Sequence, residues 1–140
     1  MKFIISIFSS FTIWVLSAML NAILSGTVVW FFSGEFNYWP SAIILVFIFS
    51  LLFSVPGILL FWMILLVNWE SEELFRILLK AGLIISSLSS LLVFILPVGM
   101  DKYKLLLLSL CIVITTTASI MLHHNILLSI TAKSKNENYV

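Results

Sequence analysis

Few side chains in this sequence have the chemistry that catalysis or cofactor binding requires, and the two histidines are the first to consider. His123 and His124 are adjacent within a long apolar run. Neighbouring residues on a helix point about 100° apart, so one chain cannot supply both imidazoles as an axial pair for haem, although a symmetric dimer would. We interpret the pair as polar residues near a helix end. The alternative is a proton relay through His123.

The cysteine and the clustered carboxylates are the other reactive groups. Cys111 is the only cysteine, so an intramolecular disulfide and a thiolate metal cluster are excluded within one chain. Glu70, Glu72 and Glu73 lie close together in the sequence, but no histidine accompanies them. Acidic residues at that position also stabilise the positive end of a following helix. We therefore expect no metal site, no cofactor and no catalytic residue.

Rows of polar residues within the apolar runs are the candidate functional surface. One row, on the last run, comprises Ser109, Thr115, Thr116, Ser119 and His123. A second row, on the first run, comprises Ser17, Asn21 and Ser25. An amide without a partner in hydrocarbon is costly, and antiparallel helices bring similar depths together. We therefore expect Asn21 to hydrogen-bond to Thr115 or Ser119.

The elements that carry these residues are four apolar runs, which we expect to be membrane-spanning helices. Their approximate bounds are 3–32, 41–67, 74–98 and 105–131. Each exceeds the roughly 18–20 residues that a helix needs to cross a bilayer. The mean hydropathy is +1.23, and charged residues make up 9% of the chain. The prediction is an all-α polytopic membrane protein: a four-transmembrane-helix bundle over residues 1–132, followed by a short polar tail at 133–140.

The start of the chain resembles a signal peptide, because Lys2 precedes an apolar stretch. Cleavage after Ala18 or Ala22 would place a leucine where a small residue is required, and the run stays apolar through Phe32. We therefore expect the first span to be retained.

A proline and a glycine interrupt the second run. Pro56 cannot donate to the carbonyl of Leu52, and Gly57 follows it. This pair predicts a kink, with Ser50 or Ser54 available to satisfy the freed carbonyl.

Small residues recur every four positions on the first and third runs. They comprise Ala18, Ala22, Gly26, Gly82, Ser86 and Ser90. Helices in lipid associate through small residues, which let backbones approach closely. These two faces are therefore predicted to be helix-packing surfaces, within the chain or across a dimer.

The distribution of basic residues predicts the orientation in the membrane. With four spans, one side collects Lys2, Arg76, Lys80, Lys133 and Lys135, and the other collects Lys102 and Lys104. The side with more basic residues faces the cytoplasm, which places both termini there, in what we expect to be a bacterial inner membrane. Trp62 and Trp69 are expected to anchor the end of the second span at the headgroups.

The charge pattern also excludes several functions. No Asp, Glu, Lys or Arg lies mid-span, whereas ion-coupled transporters usually hold an ionisable residue at depth. The length is close to that of small multidrug-resistance exporters, but their first helix carries a buried glutamate and this one offers only Asn21.

Basic residues are scattered, so nucleic-acid binding is not expected. No catalytic triad, metal-protease motif or phosphate loop is present.

These observations favour a non-catalytic membrane protein that acts by association. The roles considered are an accessory subunit, an immunity protein against a membrane-active toxin, and a membrane-located defence component. Its expected partners are the lipid bilayer and a second copy or another membrane protein. The alternative is a small oligomeric channel or carrier lined by the polar faces of helices one and four.

Overall fold

The computed structural model describes residues 2–33, 39–95 and 101–125, and the regular structure in these residues is helical. The helices are α1 (Lys2–Ser33), α2 (Trp39–Phe53), α3 (Val55–Val67), α4 (Leu74–Ile95) and α5 (Lys102–Leu122). Three of them, α1, α4 and α5, are long and apolar enough to cross a membrane, and α2 and α3 would together form a fourth, bent span. This architecture is consistent with a multi-pass membrane protein.

The helix bounds agree with the predicted spans at most of the ends that are described. The main difference is the start of α5, because the fourth span was predicted to begin at 105 and the helix begins at Lys102. The carbonyl oxygen of Asp101 accepts hydrogen bonds from the amides of Lys104, at 2.9 Å, and Leu105, at 3.2 Å. These bonds make the segment the first helical turn. The predicted ends of the third and fourth spans, at 98 and 131, and the tail at 133–140 lie outside the described residues.

The predicted kink in the second run is present as a break between α2 and α3. The two helices meet at Ser54 with a bend of 53°, so the predicted span 41–67 is two helices. Pro56 has no N–H for the carbonyl of Leu52 and its ring clashes with that carbonyl, so the first helix ends before it and Pro56 lies in the first turn of α3. The hydroxyl of Ser54 donates to the carbonyls of Ser50 and Leu51, rather than to the predicted acceptor Leu52.

Helix packing closes a ring around a central core. Helix α1 packs against α2, α3 and α5, and α4 packs against α3 and α5. Close approach depends on two glycines. A Cβ added at Gly26 would lie 3.0 Å from the Cα of Ile43 on α2, and one at Gly82 would collide with Ile120 of α5. At Gly26 the neighbour is backbone, so the approach of α1 to α2 depends on glycine, whereas at Gly82 the end of the Ile120 side chain would have to move.

The apolar core lies towards the end of the ring where α3 is joined to α4. It comprises Ile13, Phe61, Leu65, Trp69, Leu74, Leu78 and Ile120. Trp69 is only 6% exposed, so it fills this core, and its predicted role as a headgroup anchor is wrong. The polar connection that follows brings the chain back over the core, which explains why an aromatic ring near a span end is buried.

Candidate functional site: the polar interfaces of α1

Asn21 is the centre of a hydrogen-bond network between α1 and α2. Its side-chain amide Nδ2 donates to the hydroxyl of Ser50 at 2.8 Å, and its carbonyl Oδ1 accepts from the hydroxyl of Ser25 at 2.8 Å. Asn21 is 8% exposed, so both bonds lie in the low-dielectric interior, where an unmade bond would be costly. The network satisfies the amide and connects the two helices.

A second contact joins α1 to the break between α2 and α3, one turn beyond Ser50. The indole Nε1 of Trp14 donates to the hydroxyl of Ser54 at 2.5 Å. The same hydroxyl donates to the carbonyl of Ser50. Ser54 therefore acts as a donor to its own helix and as an acceptor for α1. The bend is therefore held by side chains of α1 as well as by Pro56.

A third contact connects the start of α1 to α3. The indole Nε1 of Trp62 donates to the hydroxyl of Ser6 at 3.1 Å, and Ser6 donates to the carbonyl of Phe3 at 2.8 Å. The rings of Phe3 and Trp62 meet edge to face, with centroids 5.4 Å apart. The Trp62 N–H therefore has its acceptor within the protein.

The interface between α1 and α5 contains a separate polar contact. The hydroxyl oxygens of Ser17 and Thr116 lie 3.1 Å apart, and Ser25 is within hydrogen-bonding reach of the Cys111 thiol. These pairs fix an antiparallel register in which residues further along α1 lie opposite residues earlier in α5. Predicted polar residues from the first and fourth spans thus do meet, at Ser17 and Thr116.

The predicted partner of Asn21 is wrong. We expected Thr115 or Ser119, but the amide bonds to Ser50 and Ser25. The register explains the difference: Ser17 already lies opposite Thr116, so Asn21 is about one turn away from the depth of Thr115 and further still from Ser119. The depth of Asn21 along its span also does not indicate that α2 is the helix that faces this side of α1.

The remaining polar residues of α5 bond to their own helix. The hydroxyls of Thr115 and Ser119 donate to the carbonyls of Cys111 and Thr115, each at 2.8 Å. Ser109 does the same with Leu106, on a partly exposed face.

The His123 Nδ1 lies 3.0 Å from the Ser119 carbonyl, an arrangement that places its proton on Nδ1. Within the described residues, no group of three His, Cys, Asp or Glu side chains is placed to hold a metal ion.

The predicted small-residue faces lie inside the ring. Ala18 and Ala22 are 4% and 2% exposed, and Gly26 contacts Ile43 of α2. On α4, Gly82 lies against Ile120 and Phe61, while Ser86 and Ser90 are buried and donate to carbonyls of their own helix. In this structure both faces pack against helices of the same chain.

Several participants were not identified as site residues from the sequence. They are Ser6, Trp14, Ser50, Ser54 and Trp62. Two signals were available: the four-residue spacing of Ser50 and Ser54, and the need of a buried indole N–H for an acceptor.

Comparison with known proteins adds no relative: the chain matches no family model, no curated protein and no solved structure.

Proposed function

We propose that this protein is a four-helix integral membrane protein of a bacterial inner membrane, with both termini in the cytoplasm, and that it acts by association rather than by catalysis. Its partner would be another membrane protein or a second copy. The roles that fit are an accessory subunit, an immunity protein against a membrane-active toxin, and a membrane-located defence component.

The observation that carries this proposal is the internal use of the polar side chains. Asn21 is satisfied by Ser50 and Ser25, Ser17 by Thr116, and the indoles of Trp14 and Trp62 by serines of facing helices. A solute path needs polar groups that remain available to the solute or to water. In this arrangement those groups stabilise the ring of helices instead.

The outward surface supports the same proposal. Large apolar side chains such as Ile44 on α2, Leu88 on α4 and Leu110 on α5 are between 47% and 62% exposed. In a bilayer this surface faces lipid, and a partner helix can pack against it through van der Waals contact. Since the small-residue faces are used within the chain, association would occur through this apolar surface or through the connections.

The test is the size and composition of the complex that the protein forms in its native membrane. The tagged full chain is extracted with a polymer that retains surrounding lipid and is then separated by native electrophoresis and mass spectrometry. Association predicts a particle with a fixed ratio of this chain to a second polypeptide, or a fixed number of copies. A particle that contains one chain only, at native expression level, would contradict it.

One observation favours the alternative of a small oligomeric channel or carrier lined by the polar faces of helices one and four. Ser10 is 2% exposed, and its hydroxyl makes no hydrogen bond to any residue that the structure describes. A buried hydroxyl of this kind is uncommon and would suit a site that water enters. Under this alternative, proteoliposomes that contain the protein would conduct ions or a small solute.

A further inference from the structure

A shallow cavity of about 390 Å³, open along one side, lies between the end of α1 and the start of α5. It is lined by Thr27, Val28, Phe31, Phe32, Tyr103 and Leu107. This volume is within the range of roughly 300–1,000 Å³ that is usual for small-molecule sites. The lining is mostly apolar, and it belongs to two helices of membrane-spanning length, so an apolar chain from the surrounding bilayer is the natural occupant.

The mouth of the cavity carries positive charge. The Lys104 Nζ lies 5.3 Å from the centre of the Phe32 ring, which is within cation–π range and places the ammonium beside the cavity wall. Lys102 and Tyr103 are exposed on the same helical turn. All three lie at the start of α5, where a helix of this length would reach the headgroups.

The ion pair of Lys104 leaves its ammonium available to a lipid phosphate. Its Nζ is 3.4 Å from Asp101 Oδ2, but the Asp101 side chain is 78% exposed. Such a pair is screened by water and contributes little. A phosphate at the mouth would therefore compete with Asp101 for Lys104, while its acyl chain occupied the cavity.

We propose that this cavity, with Lys104 at its mouth, binds one anionic phospholipid. The acyl chain lies between Phe31, Phe32 and Leu107, and the phosphate is held by Lys104. The inference needs the membrane setting but not the association role, so either can fail without the other.

The test is native mass spectrometry of the full chain, released from micelles that contain phosphatidylglycerol or phosphatidylcholine with identical acyl chains. The first phosphatidylglycerol molecule should bind about fivefold more tightly than the first phosphatidylcholine, because the choline cation offsets the phosphate of phosphatidylcholine. This factor is what one basic residue contributes at an anionic lipid surface. Lys104→Gln should abolish this preference. The control Lys80→Gln removes an exposed lysine of α4 at the opposite end of the ring and should retain it.

A second variant tests the cavity itself. Leu107→Trp should fill the apolar space and reduce the binding of both lipids, with helix content unchanged by circular dichroism. Equal binding of the two lipids by the natural sequence would overturn the proposal. An equal loss of preference in Lys104→Gln and Lys80→Gln would overturn it as well, as would unchanged binding in Leu107→Trp.

Discussion

The side-chain amide of Asn21 on α1 donates to the hydroxyl of Ser50 on α2 at 2.8 Å, and Ser50 lies one turn before the break that separates α2 from α3. One amide therefore connects the first helix to the second immediately before the point where the second helix bends. Trp14 and Ser54 repeat the connection at the bend itself. The polar groups of α1 thus stabilise the irregular part of the fold.

Replacing Asn21 tests this connection. Asn21→Leu removes the bonds to Ser50 and Ser25 and should lower the free energy of unfolding by about 0.6 kcal/mol, and by no more than about 1.7 kcal/mol, the measured range for such bonds in membrane proteins. The measurement is reversible unfolding in mixed micelles. The control Thr12→Val removes a hydroxyl that bonds only to Phe8 of its own helix on an exposed face. An equal loss of stability in both variants would show that Asn21 does not connect α1 to α2.

Removing the Ser54 hydroxyl tests whether the hydrogen bond from Trp14 stabilises the bend between α2 and α3. Ser54→Ala eliminates the acceptor of the Trp14 indole and leaves that partly buried N–H without its partner, which is costly. We expect a wider distribution of distances between spin labels at Ile44 and Met63, measured by pulsed electron resonance. Thr117→Ala is the control, since Thr117 donates only to Val113 of its own helix. An unchanged distribution in Ser54→Ala would show that Pro56 alone sets the bend.

Enlarging the small residues tests the packing faces. Ala22→Leu and Gly82→Leu would each insert a large side chain into a closed interface, and overpacking typically costs about 1–3 kcal/mol. Ile44→Leu is the matched control, because Ile44 is 60% exposed and should tolerate the change. The yield of folded protein after extraction and its unfolding midpoint provide the measurement. If the three variants behave alike, the assignment of these faces is wrong.

Reporter fusions test the orientation. A reporter after Val140 and one in the connection at Ser71 should give cytoplasmic signals, and one at Asn37 should give an external signal, because basic residues are enriched on the first side. Alkaline phosphatase and a fluorescent protein, which are active on opposite sides, provide complementary readouts. An external signal after Val140 would reverse the orientation.

Helix identity was predictable from the sequence because a long apolar run has few alternatives, and the kink was predictable because proline acts locally. The hydrogen-bond partners of the polar side chains were less predictable. These partners depend on which face of α1 meets which helix. The register of α1 against α5 differs by about one turn from the predicted register, so Asn21 does not reach Thr115 or Ser119 and bonds to Ser50 instead. The inward placement of Trp69 likewise depends on how the connection after α3 returns over the core, which composition does not encode.

The most direct test of the central claim, that the polar groups of α1 bond to neighbouring helices rather than line a path, is flux through purified protein in proteoliposomes. Proton, potassium and chloride flux should equal that of empty liposomes, and Asn21→Leu should leave it unchanged. A saturable flux that exceeds the lipid background and disappears in Asn21→Leu, while that variant still folds, would contradict the account and establish the channel or carrier alternative.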